Sequence, residues 1–367
     1  MSKILIINTV PTDRNGITNV IFSYFCPMLK EKFVLDYVSI NEMLDCYVRK
    51  VSESGGKYYI VPRSARTLAY YFSTLWRLIS QNHYDAVHIH GNSHTVVLEL
   101  MAAFLAKCKV RIVHAHATSS KSLLLHRILA PLFDGLCNCR LACNDRAGKW
   151  MFGNHPFEVI HNGVDTMFFA FNQEARDDLR KNLSWVDKVI LAHVGEFSAN
   201  KNQTFLVDVL SVLKSKCDNY CLLLIGDGEL KQFVEQKVKQ QKLEGCVYFA
   251  GKVSDVDRYL SAADCILMPS FHEGLPLTLV EQQSNGLRCI ISDSISREAN
   301  ITGNITYLPL CLNKWVDMVR TITIEPNGER EKRSIESMEL LKKAGYDVRS
   351  SVESLRQYYL NSINNIK

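Results

Sequence analysis

One alternation, run twice, constrains this chain more than any other feature. Short apolar runs such as Lys3–Thr9, Tyr84–Asn92 and Lys109–His116 end in polar tips and lead into stretches of helical periodicity. The rhythm restarts at Lys188–Val194 and continues through Tyr220–Ile225, Val247–Gly251, Asp264–Pro269 and Arg288–Ser292. Strands that alternate with helices build parallel sheets covered on both faces, which is why their strands are nearly continuous apolar runs. At 367 residues the chain is longer than one hydrophobic core usually serves. The expected fold is therefore α/β, with two Rossmann-like domains.

Composition excludes several classes. Hydrophobic residues make up 47% of the chain, no apolar run reaches membrane-span length, and Met1–Asn8 reads as a strand and not a signal peptide. A cytoplasmic protein is expected. The 12 cysteines stand singly in apolar surroundings, as reduced thiols do. Cys137, Cys139 and Cys143 cluster without a second paired motif or nearby histidine pair, so no metal site is expected there. Through Asp165 there are 18 Lys and Arg against 12 Asp and Glu. That basic excess suits an anionic membrane surface or a phosphate-bearing acceptor, although solvated surface charge explains it equally. No nucleic-acid partner is expected.

Chemistry concentrates in Met268–Ser292, MPSFHEGLPLTLVEQQSNGLRCIIS. Glu273 and Glu281 stand eight positions apart, bracketing a turn from an apolar strand into a helix. The amides of Gly274, Leu275 and Leu277 would be free at the helix start, where a phosphate is favoured. Gly274 permits close approach, and Pro276 is tolerated at a helix start. Carboxylates flanking an amide-rich turn suit a ligand with hydroxyls on both sides of a phosphate, such as a nucleotide sugar.

Glu273-Gly-Leu-Pro-Leu-Thr-Leu-Val-Glu281 resembles the Glu-x7-Glu signature of retaining GT-B glycosyltransferases of family 4, especially the branch that builds bacterial capsular and exopolysaccharides. The resemblance covers nearly the whole chain, with its specific motifs between Ala192 and Asp293. It implies that Glu281 binds ribose hydroxyls, that Glu273 contacts the transferred sugar, and that the amides between them hold the diphosphate. It also implies two Rossmann-like domains facing across a central cleft: residues 1–168 for the acceptor, 169–345 for the donor, and a C-terminal helix, 346–367, crossing back to the first domain.

Several other positions gain expectations from the same resemblance. The loop before the first helix carries Gly16, facing the donor phosphate, where the family has two glycines. Arg63–Ser80 has helical amphipathicity, with Leu68, Tyr71, Phe72, Leu75, Leu78 and Ile79 on one face; relatives with lipid-linked acceptors lean on the membrane through such parts. His116, followed by Thr-Ser-Ser-Lys, matches a histidine that approaches the donor sugar. His90 and His114 are weaker candidates; His90 and Lys121 are acceptor candidates. Asn162-Gly163-Val164-Asp165 resembles the turn ending the first domain. After Lys188–Val194 the family has Gly-Arg and a Lys five positions later, both neutralising the diphosphate. Lys201 fits, but Glu196 replaces the arginine, which weakens the clamp. Val253 and Asp255 match a base-contacting loop. From the residues alone, Glu325–Lys332, a charged break in the apolar rhythm, is expected to be an exposed loop, with helices expected at Arg330–Ala344 and Val348–Ile363.

The expected activity is sugar transfer from a nucleotide diphosphate, a UDP-sugar by expectation, to a hydroxyl of a glycan or lipid-linked acceptor, with retention. No cofactor is expected, and no metal, because no Asp-x-Asp motif stands at a strand end. A hydrolysing sugar-nucleotide epimerase shares the architecture. A catalytically silent donor-binding subunit, which Glu196 keeps open, is the other alternative. Peripheral contact at the inner face of the plasma membrane completes the expectation.

Overall fold

In the computed structural model, which describes residues 1–13, 16–120, 122–216, 219–326 and 328–365, the chain forms two compact units. One comprises Met1–Gly163 together with the chain from Val348 onward; the other is Val164–Asp347.

The first unit holds a parallel sheet of β1 (Ser2–Asn8), β2 (Phe33–Ser39), β3 (Tyr58–Ile60), β4 (Ala86–Gly91), β5 (Val110–Ala115), β6 (Cys139–Ala142) and β7 (Glu158–Val159), in the order β3-β2-β1-β4-β5-β6-β7. The second holds β8 (Val189–Val194), β9 (Tyr220–Ile225), β10 (Val247–Gly251), β11 (Cys265–Met268), β12 (Arg288–Ser292) and β13 (Ile305–Leu308), in the order β10-β9-β8-β11-β12-β13. Ile4 to Ile7 and Leu222 to Leu224 have no exposed surface, as strands under helices on both faces require. In each sheet the chain grows outward from its first strand and then reverses, between β1 and β4 and between β8 and β11. Open α/β sheets bind ligands beyond the carboxyl ends of strands at such reversals.

The C-terminal helix, Val348–Asn365, belongs to the first unit. Tyr359 is fully buried, stands edge-on to Phe33, and places its hydroxyl 2.5 Å from His88 Nδ1. Among the described residues no helix is long and apolar enough to cross a membrane. Cys137, Cys139 and Cys143 are buried free thiols, and burial pushes Cys137 and Cys143 up to about 12.

Two local expectations are corrected. The helix expected from Arg63 begins at Leu68 and runs to Asn82, with Tyr71, Leu75 and Ile79 on the core face as read from the sequence. Arg63 is held outside it by Glu99, 3.0 Å away, and by the Thr95 carbonyl. A hydrogen bond from the Ser64 N–H to Thr67 Oγ1, and one shared between the two hydroxyls, shape the intervening turn, so tertiary partners override helical composition. The second correction concerns Glu325–Lys332. Pro326, Gly328, Glu329, Glu331 and Lys332 are exposed as expected, and the helix Glu329–Lys343 starts one residue before Arg330, but Arg330 itself turns inward, where its guanidinium meets the side chain and carbonyl of Asn285 at 2.6 and 2.7 Å. Glu325 takes both Arg288 and Arg333. Arginine can be buried when its fixed fork of donors meets acceptors, and charge in a sequence does not reveal such partners.

Beneath β11 lies a second buried charge cluster. Asp264 accepts from Arg176 and Arg180, each at 2.5 Å, and from the Ile190 N–H at 2.7 Å. The guanidinium of Arg176 also donates to the carbonyls of Ser261, Ala262 and Ala263. This ties helix Gln173–Asn182 to the starts of β8 and β11.

Candidate functional site

At the reversal of the second sheet, two loops meet. The one after β8 carries Gly195–Asn202; the one after β11 carries Pro269–Pro276. His193 in β8 reaches the Leu267 carbonyl in β11 at 2.8 Å, and Gln203 donates to the Glu196 carbonyl at 2.7 Å. Asn200 latches the loops together: its carbonyl accepts from Phe271 N–H, its Oδ1 from His272 N–H, and its Nδ2 donates to the His272 carbonyl at 2.9 Å. Across this latch Lys201 Nζ lies 2.6 Å from Glu273 Oε1, with both side chains less than one-fifth exposed. Asn200 Nδ2 supports the same oxygen at 3.2 Å. The structure thus brings together Lys201 and Glu273, 72 positions apart, and adds Asn200, which the sequence reading missed. In Ser-Ala-Asn-Lys-Asn it looks like any polar strand tip.

Leu277 opens the helix Leu277–Ser284, and Pro276 at its N-cap offers no side-chain cap. The first-turn amides of such a helix have no partners within it. Leu275 and Leu277 turn their side chains onto Val164, Val280, Leu341 and Tyr346. Nothing lies within 4 Å of where a Gly274 Cβ would stand. One turn into the helix, Glu281 is partly buried, and burial pushes its carboxyl up to about 7.

Gly226 in the loop after β9 has φ +138°, and a Cβ there would stand 2.0 Å from the Gly195 carbonyl oxygen. Gly226→Ala is therefore expected to push the β8 loop aside at a cost of about 1–3 kcal/mol, read as a lower denaturant midpoint at unchanged slope. An unshifted midpoint would show that the two loops are not in contact. Glu196, in the same β8 loop, has its side chain exposed and contributes its carbonyl inward. Val253, beyond β10, packs against the core; Asp255 is exposed, with a carboxylate oxygen 3.9 Å from Arg258 Nη1.

At the reversal of the first sheet, Thr9 binds the His90 carbonyl through its N–H and hydroxyl at 3.1 and 2.8 Å. Gly16 is exposed at the start of helix Gly16–Ser23. Period-two alternation puts His88 and His90 on one face of β4, and the register His90 to His114 puts His114 and His116 beside them. The rings form a column, with His90 Nδ1 2.8 Å from His116 Nε2. His88, His90 and His114 are buried; His116, just beyond β5, is partly so. Burial lowers the His116 pKa to about 4 against the opposing effect of Asn162, so its imidazole is neutral at pH 7. Lys121 lies outside the described residues.

Comparison with known proteins matches both units. Residues 175–304 fit the family model "Glycosyl transferases group 1", and residues 13–168 fit "Glycosyltransferase Family 4". The putative glycosyltransferase EpsF of Bacillus subtilis is 31% identical over 368 residues, covering 95% of this chain and 94% of EpsF. The UDP-Gal:alpha-D-GlcNAc-diphosphoundecaprenol alpha-1,3-galactosyltransferase of Escherichia coli is 29% identical over 63% of this chain and 62% of its own length. Among solved structures, a glycosyltransferase from Rickettsia africae superposes with TM-score 0.79 (14% identity, 99% of both chains). Anabaena Alr3699/HepE in complex with UDP superposes with TM-score 0.77 (14% identity, 98% of this chain and 100% of that one). The fold of both units is the GT-B fold of these neighbours.

Proposed function

The chain belongs to the group 1 glycosyltransferases, and we propose that it moves a sugar from a UDP-sugar onto a hydroxyl of a lipid-linked saccharide, with retention, in bacterial surface-polysaccharide synthesis. The observation that carries this reading is the contact of Lys201 with Glu273 beside the uncapped helix at Leu277. UDP accords with the nucleotide held by the Anabaena neighbour, and a lipid-linked acceptor with the diphosphoundecaprenol in the name of the E. coli relative.

In this mechanism the amides of Gly274, Leu275 and Leu277 and the Lys201 ammonium take the diphosphate, where negative charge grows as the sugar–phosphate bond breaks. As the sugar–phosphate bond breaks, the departing phosphate oxygen takes the proton of the acceptor hydroxyl, and the acceptor's own oxygen bonds to the sugar carbon on the face the phosphate leaves. Glu273 holds sugar hydroxyls, Glu281 ribose hydroxyls, and Val253 and Asp255 the base. His116 is assigned to the donor sugar and Gly16 to the phosphate. His90, locked behind His116, positions that ring, and Lys121 is assigned to the acceptor. The charge work falls on amides and a lysine, with no metal in the reaction.

Glu281 supplies the test. A carboxylate accepts from two ribose hydroxyls, whereas its protonated form loses acceptor capacity. Donor affinity measured by calorimetry is therefore expected to strengthen as pH rises through about 7, and Glu281→Gln to abolish both the affinity and its pH dependence. Stability runs the other way. Because the folded-state pKa is raised, the folded protein binds more protons, so stability falls as pH rises from about 4.5 to about 7. Glu281→Gln should melt higher than the parent at pH 8 and alike at pH 4. A Glu281→Gln protein that binds and turns over donor normally would overturn the reading.

Glu196, exposed where the resemblance implies an arginine, favours a second reading, a chain that binds donor without transferring it. Tight donor binding with no product on any polyprenyl-diphosphate saccharide would establish that reading; sugar release without acceptor would indicate the epimerase. We further assign the first unit to an anionic membrane surface, on the basis of its charge excess and of Leu124 and Ile128, more than 60% exposed beside Arg127. Sedimentation with vesicles containing phosphatidylglycerol, and not with phosphatidylcholine alone, is expected.

A further inference from the structure

The histidine column of the first unit contains more unsatisfied polar atoms than a sugar-positioning role explains. His88 Nε2, His90 Nε2 and both ring nitrogens of His114 are buried without a hydrogen-bond partner. Buried polar groups are ordinarily paired with protein, water or an ion. Here three such side chains converge: one ring nitrogen from each of His88, His90 and His114 lies within 4.8 Å of the other two.

From this convergence we propose that His88, His90 and His114 bind a divalent transition-metal ion of the zinc class, as a structural site inside the first unit. Imidazole nitrogen is the ligand such ions favour. Three histidines with a water as the fourth ligand form an established coordination set. Around a tetrahedral ion with bonds of ~2.0–2.1 Å the ring nitrogens stand about 3.4 Å from one another, so loading draws the three rings together.

The surroundings prepare the ligands. A metal-binding histidine donates its other N–H to a neighbour, which fixes its tautomer. His88 Nδ1 has the Tyr359 hydroxyl at 2.5 Å, and His90 Nδ1 has His116 Nε2 at 2.8 Å. With the protons on those Nδ1 atoms, the Nε2 lone pairs of both rings are left for the ion. His88 is fully buried, so loading accompanies folding, and the ion holds the C-terminal helix, through Tyr359, to the sheet.

The test of this site reads metal and not transfer. The protein, expressed in zinc-supplemented medium and dialysed natively against EDTA to strip surface ions, is assayed by mass spectrometry for metal. About one equivalent per chain is expected, held because the ligands are buried inside the first unit, and released when the protein is unfolded in EDTA. Cobalt refolded in place of zinc should show the intense visible absorption of tetrahedral coordination. Tyr359→Phe should weaken retention about 10-fold or more, as loss of a ligand's outer partner does, and His114→Gln should abolish it. A folded parent protein with no tightly held metal overturns the proposal, whether or not His114→Gln folds. So does a His114→Gln protein that folds and holds metal as the parent does.

Discussion

Replacing Lys201 with alanine is expected to lower kcat/KM for the nucleotide sugar by about 10²–10³-fold, the usual cost of removing one preorganised group from developing negative charge. The loss exceeds that of a surface cation because of what remains. Glu273, now 2.6 Å from Lys201, would face the diphosphate unneutralised, with Glu196 nearby in sequence and no arginine in its place. Lys201→Arg should recover only part of the activity, since a planar fork replaces a compact ammonium. Glu273→Gln separates the two roles. It frees Lys201, so UDP should bind more tightly, while transfer falls because the sugar loses its carboxylate. Steady-state kinetics and UDP calorimetry on the three variants decide the matter. Parental kcat/KM in Lys201→Ala would remove the lysine from the diphosphate site.

Asp264→Ala is expected to destabilise the second unit by about 3–5 kcal/mol, as removing one partner from a buried ion cluster does. In a unit of this size that is on the order of 10 °C in melting temperature. Two guanidinium groups, Arg176 and Arg180, would lose their only carboxylate in the cluster, and the Ile190 N–H its acceptor. Asp264→Asn retains the volume and an acceptor, so its cost is smaller. Asp264 stands at the start of β11, the end away from Glu273, and donor affinity below the transition should stay near the parent value. A melting temperature for Asp264→Ala within 2 °C of the parent, a shift too small for a network of this kind, would show that backbone pairing alone anchors β11.

The βα rhythm was readable because it is local. A strand buried on both faces needs an apolar run, a helix needs its stripe, and both are written within a few residues. Lys188–Val194 and Arg288–Ser292 are strands within a residue of where their composition puts them. The spacing of Glu273 and Glu281 likewise locates a strand-to-helix turn without knowledge of its neighbours. Legibility failed where the deciding partner is distant. Arg63 has helix-forming neighbours but is taken by Glu99, and Arg330 sits in a charged run yet is buried against Asn285. Neither partner is marked in the local sequence.

The same division applies to the candidate sites. Residue types and spacing alone determined two βα series, a helix start able to meet phosphate, and a resemblance that names roles for Lys201, Glu273, Glu281 and His116. Tertiary structure decided that Lys201 pairs with Glu273, that Asn200 latches their loops, and that the histidines of β4 and β5 and His116 just beyond β5 form one column. Those outcomes depend on strand order and register: β11 lies beside β8 although β9 and β10 intervene in sequence, and His90 stands opposite His114. Parallel pairing is settled by packing over the whole sheet, and that information is carried by no single stretch of the chain.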